Sequence, residues 1–186
     1  MTTATMPKQE KFTYEDYLTW DIDSDNRYEL IGGEFFMAPA PNVWHQRISK
    51  RMEFKIMQVL EKSGLGEVFD APCDVVLSNE DVVQPDIIFV LKENFNIITK
   101  DNIQGSPDLL IEIISPNSAQ RDRITKKRLY ERCGVKEYWL VDANRKEIEV
   151  LTLEEGRYKT YGIFKSEDTL SSVLLEDFHF KVGEVF

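Results

Sequence analysis

Histidine and cysteine are scarce in this sequence. Only two histidines, His45 and His179, and two cysteines, Cys73 and Cys133, occur among the 186 residues. The cysteines lie far apart and form no Cys-x-x-Cys pair, a pattern that argues against a zinc site or a disulfide framework. We therefore expect two reduced thiols, as in a cytoplasmic protein.

Apolar runs of membrane length are also missing. No segment approaches the roughly 20 apolar residues of a transmembrane helix. Residues 1–11 contain no apolar core of signal-peptide length. We expect a soluble cytoplasmic protein that does not associate with membranes.

Positive charge is in deficit. The formal net charge is −10 and the isoelectric point is about 4.8. This balance argues against a protein that binds nucleic acid non-specifically through a broadly basic surface. Any contact with nucleic acid must therefore be local.

The chain does contain enough apolar residues for a folded core. Hydrophobic residues make up 42% of the sequence and charged residues 30%. This composition predicts one globular domain over residues 1–186, with residues 1–10 frayed.

The N-terminal part predicts a helix, a hairpin and a longer helix. Thr13 and Asp16 stand at capping-box spacing before a short helix, and Gly32-Gly33 is typical of a tight hairpin turn. Apolar residues at helical spacing predict a helix over residues 43–62. His45 extends its apolar stripe, so it should face the sheet, where a histidine is more often a packing residue than a catalytic one.

The acidic residues Asp21, Asp23 and Asp25 imitate the start of a calcium loop. However, Asn26 occupies the position that needs glycine, and Gly32 occupies the position that needs glutamate. We interpret the segment as a solvated acidic loop.

Strands dominate from Gly66 onward. Residues 92–106 form a polar loop, and the tail contains short apolar strands. The predicted strands cover residues 67–70, 74–77, 82–91, 109–114 and 135–141, with a further hairpin at 146–153 and 157–164.

Glu112 stands inside a continuous apolar run, Leu-Leu-Ile-Glu-Ile-Ile over residues 109–114. Such a run is typical of a strand that is covered on both faces. Burying an unpaired charge costs several kcal/mol. Glu112 must therefore be protonated, paired with a cation or bound to a metal.

Two Pro-Asp pairs precede Glu112, and distance favours the first. Asp108 lies on the same strand, about 13 Å from Glu112 at about 3.3 Å per residue. Both could not bind one ion, because ligand distances are about 2 to 2.6 Å. Asp86, on a neighbouring strand, can lie across from Glu112 and share a hard cation with it. Asp108 is interpreted as a residue that begins the strand.

The segment after the strand predicts a helix that ends at Gly134. Strand, helix and strand in this order predict a right-handed crossover with parallel strands. Asp122, Lys126 and Tyr130 stand at i, i+4 and i+8, on the face that packs against the sheet. The alternative is an ordinary helical ion pair between Asp122 and Lys126, which would leave Glu112 unexplained.

Together these features resemble a known family. Pro85-Asp86, Glu112 in its apolar strand, Ser115-Pro116, the helix with Lys126, and the Gly-Val-Lys-Glu-Tyr-Trp block at 134–139 look like the bacterial putative restriction endonuclease family of the PD-(D/E)xK nuclease superfamily. The resemblance extends from Tyr28-Glu29-Leu30 to the final strands. The superfamily lysine expected two residues after Glu112 is Ile114 here, so the resemblance implies that Lys126 takes its role.

The resemblance implies a fold and an activity. The fold is α/β (α+β), with a restriction-endonuclease-like mixed central sheet flanked by helices and with N-terminal and C-terminal hairpins. The activity is metal-dependent hydrolysis of DNA phosphodiester bonds. Asp86, Glu112 and the carbonyl of Ile113 would bind Mg²⁺, or Mn²⁺ as a substitute. Lys126 would orient or deprotonate the attacking water. The secondary candidates are Glu29, His45, Gln84, Ser115, Asp122 and Tyr130.

The expected partners are DNA and a second copy of the chain. Residues 121–132 contain six basic and two acidic residues, a local patch that could hold a DNA backbone. A homodimer would suit double-strand cleavage. Two alternatives remain: a catalytically silent nuclease-fold module that binds nucleic acid or protein, and a structural domain that self-associates through its aromatic C-terminal strands.

Overall fold

The computed structural model describes residues 11–19, 27–38, 40–175 and 177–186. The expected frayed end and the acidic loop at Asp21, Asp23 and Asp25 lie outside these residues. The helices are α1 (Tyr14–Thr19), α2 (Val43–Ser63) and α3 (Lys127–Cys133), with a π-helical segment at Arg121–Lys126 and 3₁₀ segments at Lys92–Ile97 and Val182–Glu184. The strands are β1 (Arg27–Ile31), β2 (Glu34–Ala38), β3 (Gly66–Asp70), β4 (Val75–Ser78), β5 (Asp81–Val83), β6 (Ile87–Leu91), β7 (Ile103–Gln104), β8 (Leu109–Ile114), β9 (Glu137–Asp142), β10 (Glu147–Glu154), β11 (Arg157–Lys165), β12 (Thr169–Ser171) and β13 (His179–Lys181).

A mixed six-stranded sheet forms the centre of the fold. Its strand order is β11-β10-β9-β8-β6-β3. The β8–β9 pair is parallel and the other pairs are antiparallel. All six residues of β8 are buried, which confirms that residues 109–114 form a strand covered on both faces.

Helices cover this sheet on both sides. Ile48 and the other buried residues of α2 pack against Leu109 and Ile111 on one face. Tyr130 of α3 packs on the other face, with Leu110. Since successive side chains of a strand point to opposite faces, Glu112 lies on the α3 face. This alternation places its carboxylate beneath the helix that carries Lys126.

The prediction of one strand over residues 82–91 is wrong in one respect, because the strand is interrupted at residues 84–86. β5 belongs to a second sheet of order β2-β1-β5-β4-β7, whereas β6 belongs to the central sheet. Pro85 has no N–H to donate to a ladder, so it cannot stand inside a central strand. As a result, Asp86 stands at the point where the chain crosses between the two sheets.

The crossover from β8 to β9 contains a π-helical turn that the sequence pattern did not predict. Within it, the N–H of Lys127 donates to the carbonyl of Asp122, five residues earlier. Such wide turns are frequent at functional sites. The helix ends at Gly134, in the left-handed conformation with φ 83°, and the parallel pairing of β8 with β9 is confirmed.

Both predicted terminal hairpins are present. β1 pairs with β2 around Gly32-Gly33, whose φ values are 62° and 80°, and β10 pairs with β11. Phe178 and Phe180, by contrast, pack in the core beneath α2. The aromatic residues on which the self-association hypothesis depended are thus used inside the chain itself.

The described helices do not include one with the length and hydropathy that crossing a bilayer requires.

Candidate active site

Glu112 is paired with a cation. Its side chain is almost fully buried, and its Oε1 accepts hydrogen bonds from Lys126 Nζ and Tyr130 OH, each at 2.8 Å. Both donors come from the helix that covers the sheet, one turn apart. The predicted inward face of this helix is therefore the face that meets Glu112.

Lys126 serves a second carboxylate as well. Its Nζ lies 2.7 Å from Glu29 Oε1 and 4.0 Å from Asp122 Oδ1. Glu29, on β1, is also buried and accepts a hydrogen bond from the backbone N–H of Gln84 at 2.9 Å. Glu29 was a secondary candidate in the sequence, and the structure places it beside Lys126 at the centre of the cluster.

Asp86 lies next to this cluster at the start of β6. The register pairs Ile87 with Ile111, so the next antiparallel position sets Asp86 opposite Glu112. Asp86 Oδ2 accepts a hydrogen bond from the N–H of Ile113 at 2.7 Å and lies 3.1 Å from His45 Nε2. Asp86 is thereby held by the strand of Glu112 and by the first turn of α2.

Asp108 has a different set of partners. It accepts hydrogen bonds from the N–H of Leu91 and from Asn94 Nδ2, both at 2.8 Å, and lies 2.9 Å from Lys136 Nζ. These contacts tie the start of β8 to the end of β6 and to the segment before β9. Its geometry is that of a residue that fastens the strand, at the opposite end of β8 from the Glu112 cluster.

A cleft of about 210 Å³ opens over these side chains. Asp122 and Tyr130 contact the cluster from behind and do not line this cleft. Arg27 and Asn42 also line it, although neither stands in a motif that could have marked it. The sequence candidates that line the cleft are Glu29, His45, Gln84, Asp86, Glu112, Ile113, Ser115 and Lys126.

Burial sets the ionisation of the cluster. Burial raises the pKa of Glu112 well above its usual value; nearby Lys126 opposes this shift, and the carboxylates of Asp122, Asp86 and Glu29 reinforce it. Burial also raises the pKa of Asp122. For Lys126, burial opposes the charge, but Glu112 and Glu29 outweigh it and hold the pKa above the ordinary value. The neighbouring carboxylates therefore favour the charged form of Lys126.

Negative charge exceeds positive charge in this cluster. Among the described residues, four carboxylates (those of Glu29, Asp86, Glu112 and Asp122) share the buried ammonium of Lys126 and the partly exposed guanidinium of Arg121, which lies 3.7 Å from Glu29. A buried excess of this kind must be relieved by protonation or by a bound cation.

The oxygen atoms that face the cleft fit a hard divalent cation. Among the described residues, no hydrogen bond reaches Glu112 Oε2 or Asp86 Oδ1. The carbonyl of Ile113 points to the same side of its strand as its N–H, and that N–H meets Asp86. No three His, Cys, Asp or Glu side chains converge as a ready cage in the described part of the chain. Two carboxylates with solvent or substrate oxygens are, however, the usual set for Mg²⁺.

A comparison with protein families agrees with this arrangement. The model of the family described as "Putative restriction endonuclease" (Uma2) matches residues 14–183. The chain belongs to this family. No curated protein sequence matches it.

A solved structure supports the fold of this Uma2 chain. It is described as a putative nuclease belonging to DUF820 from Anabaena variabilis, and it aligns with a TM-score of 0.78 and 18% sequence identity. The alignment covers 94% of this chain and 97% of that one. The resemblance implied a mixed sheet of the nuclease type, and this expectation about the fold is confirmed.

A hydrogen-bond network behind the site was not expected from the sequence of this family member. Gln84 Nε2 donates to Asp74 Oδ1 at 2.7 Å, and Tyr17 OH donates to the same oxygen at 2.9 Å. Burial raises the pKa of Tyr17. Gln84 Oε1 is buried without a hydrogen-bond partner among the described residues. The three residues come from separate elements, so no sequence spacing could have linked them.

Four of the six basic residues in the patch expected over residues 121–132 lie close to acidic residues. Arg123 pairs with Asp142 at 3.0 Å, Arg132 pairs with Asp81 at 2.8 Å, and Lys126 is buried. Arg121 lies 3.7 Å from Glu29, which is itself part of the acidic cluster. Lys127 and Arg128 form no ion pair with the described residues. The positive charge that remains unpaired on this helix is therefore only part of the patch predicted from the sequence.

Proposed function

We propose that this protein is a Mg²⁺-dependent endonuclease that hydrolyses DNA phosphodiester bonds, with Mn²⁺ as a substitute metal. The observation that carries the proposal is the cleft lined by Asp86, Glu112, Ile113 and Lys126, in which one oxygen of each carboxylate accepts no hydrogen bond from the described residues. Membership of the family described as "Putative restriction endonuclease" supports it.

Each residue of the cleft has a distinct role in this proposal. Asp86, Glu112 and the Ile113 carbonyl would hold the cation, which when bound supplies a Lewis acid for the phosphate and a lower pKa for water. Lys126 keeps its proton, so it stabilises developing negative charge and is poorly suited to act as a base. His45 and Tyr130 orient Asp86 and Glu112, respectively.

A catalytically silent module is the second candidate. The observation that favours it is that Lys126 and Tyr130 already satisfy Glu112 Oε1, as in a buried structural ion pair. In that case, the fold would bind nucleic acid or protein without catalysis.

Plasmid cleavage tests the first candidate. Wild-type protein should nick supercoiled plasmid in the presence of Mg²⁺ or Mn²⁺. Glu112→Ala and Lys126→Ala should lose at least about a hundredfold in rate, the scale expected for one lost charge-stabilising group. Lys127→Ala is the matched control, since this neighbouring lysine forms no ion pair with the described residues. Equal nicking by wild type and all three variants would contradict the assignment of Glu112 and Lys126 to the active site.

Thermal unfolding separates the two candidates. A cation that binds the folded chain must raise its melting temperature. We expect Mg²⁺ or Mn²⁺ to raise the melting temperature of the wild type but not that of Asp86→Ala. An unchanged melting temperature in the wild type would favour the silent module.

A homodimer completes the proposal, because two sites related by symmetry could cut both strands. Sedimentation velocity should then give about twice the 21.7 kDa mass of the chain. A monomer at micromolar concentration would contradict this part alone.

A further inference from the structure

A second groove lies beside the carboxylate cleft. Its volume is about 570 Å³, and Trp44, Arg47 and Lys146 stand on its walls. It is continuous with the cleft, because five residues line both. These shared residues are Asn42, His45, Ile113, Ser115 and Pro116. Anything bound in the groove therefore lies next to Asp86 and Glu112.

The groove has a charge opposite to that of the whole molecule. The chain carries a formal net charge of −10, yet no aspartate or glutamate side chain of the described residues lines the groove, whereas Arg47 and Lys146 do. A local cationic wall on an acidic protein favours an anionic ligand at this place only. It adds a local positive surface beside the cleft.

Trp44 gives the groove an aromatic platform. Its side chain is 61% exposed, at the start of α2. The guanidinium carbon of Arg47 lies 4.4 Å from the centroid of its ring. The guanidinium occupies one face of the indole and leaves the exposed remainder free to stack. An aromatic ring beside arginine is the combination with which proteins bind unpaired bases along a phosphate backbone.

We propose that this groove binds an unpaired segment of a nucleic-acid strand, with a base stacked on Trp44 and phosphates near Arg47 and Lys146. The identity of the ligand rests on the proposed nuclease function. Inside a duplex the faces of the bases are covered by stacking, whereas an unpaired base offers its flat face to a side chain. The volume of the groove, about 570 Å³, lies within the range of roughly 300 to 1,000 Å³ typical of small-molecule pockets, so it can receive nucleotides.

The groove would thus direct the enzyme toward strands with frayed, flapped or single-stranded segments. Ile113 borders the groove as well as the cleft, so a strand that leaves the groove passes directly to the proposed cation ligands. Selection of unpaired strands would then come from α2 and from the turn that carries Lys146, independently of the residues that bind the cation.

Binding without cleavage tests this inference. Fluorescence anisotropy of a labelled 12-nucleotide single strand is measured with the full chain in EDTA, alongside a blunt duplex of the same sequence. The single strand should bind more tightly than the duplex. Trp44→Ala should weaken single-strand binding about tenfold, the scale of one stacked base. Phe54→Ala is the matched control, because Phe54 is 60% exposed on the same helix and lies outside the groove.

The basic residues have their own matched test. Arg47→Ala should weaken binding and lower the salt dependence by about 0.7 in the slope of log K against log salt, as expected for one lost single-strand phosphate contact. Lys62→Ala, at the far end of α2, should change neither quantity. Equal affinity of wild type and Trp44→Ala, or tighter binding of the blunt duplex, would overturn the proposal.

These outcomes are distinct from a failure of the proposed function. Loss of plasmid nicking leaves the binding measured in EDTA untouched, and the reverse also holds. An oligoribonucleotide of the same sequence identifies the sugar. Tighter binding of the ribonucleotide, still dependent on Trp44, would support the groove and overturn DNA as the substrate.

Discussion

At the scale of single residues, one lysine determines the state of the site. Lys126 lies within 2.8 Å of both Glu29 and Glu112, in surroundings from which water is nearly excluded. A carboxylate left there without its cation is costly, because the desolvation of the charge is no longer offset. The Glu112 that looked misplaced in the sequence is tolerated because Lys126 is next to it.

Replacement of Lys126 should therefore destabilise the fold. Lys126→Met removes the cation from Glu29 and Glu112 and should lower the free energy of unfolding by about 3 to 5 kcal/mol, the range for breaking a buried ion pair. Urea unfolding measures the loss. Lys127→Met should stay within about 0.5 kcal/mol, as a surface substitution. Indistinguishable midpoints for the two variants would contradict the buried pairing.

Stability should depend on pH through Glu112. Burial raises its pKa above the ordinary value of 4.5. An acid with a raised folded-state pKa contributes stability that is complete below pH 4.5 and is lost as the pH rises through its folded pKa. We therefore measure the free energy of unfolding by urea in the metal-free protein, relative to its value at pH 4. As the pH rises above about 4.5, wild type should lose more of this free energy than Glu112→Gln does. Parallel pH profiles would contradict this sign.

At the scale of elements, the two ends of β8 have different functions, one structural and one in the candidate site. Its first end is fastened by Asp108, and its last half carries Glu112 and the Ile113 backbone toward Asp86. The two Pro-Asp pairs therefore have the same sequence and opposite roles. Because the strand is interrupted at Pro85, between β5 and β6, Asp86 lies outside both strands and lines the cleft.

Substitutions of the two aspartates should separate these roles. Asp108→Ala should cost about 2 to 3 kcal/mol of stability, because the N–H of Leu91 and the amide of Asn94, both partly buried, lose a charged acceptor. It should leave the rise in melting temperature caused by Mg²⁺ intact. Asp86→Ala should abolish that rise at a smaller cost in stability. If Asp108→Ala abolished the rise in melting temperature and Asp86→Ala left it intact, the roles of the two aspartates would be the reverse of those described.

At the scale of the whole molecule, the central sheet divides two apolar cores. The core beneath α2 includes Trp139 and Phe178, whose ring centroids are 5.7 Å apart. The core beneath α3 surrounds the charged cluster. The C-terminal segment completes the first core and does not line the cleft.

Phe178→Ala should therefore weaken the fold without altering the site. A cavity in a packed core costs about 3 to 5 kcal/mol, measured by urea unfolding. Val173→Ala, in the same segment with 55% of its side chain exposed, is the control. The rise in melting temperature with Mg²⁺ should persist in Phe178→Ala. Its loss there would show that the C-terminal segment supports the site.

Local periodicity made part of this fold predictable. The stripe of α2, the apolar run of β8 and the turns at Gly32-Gly33 and Glu155-Gly156 each depend on residues within a few positions of one another. The two-sheet arrangement, the π-helical turn and the Gln84 network depend on contacts between distant segments. Such contacts have no short-range pattern.

The sequence by itself determined that Glu112 would be buried, because both faces of an apolar strand are covered, and that it would be protonated, paired with a cation or bound to a metal. It also determined the face of the helix from which Lys126 approaches. Only the tertiary structure decided that Lys126 is shared by Glu112 and Glu29 and that Asp86, just before β6, lies opposite Glu112. It also decided that Trp44 borders a groove beside them. The physical reason is that packing of two sheets and a helix brings these residues together, and no local periodicity encodes that packing.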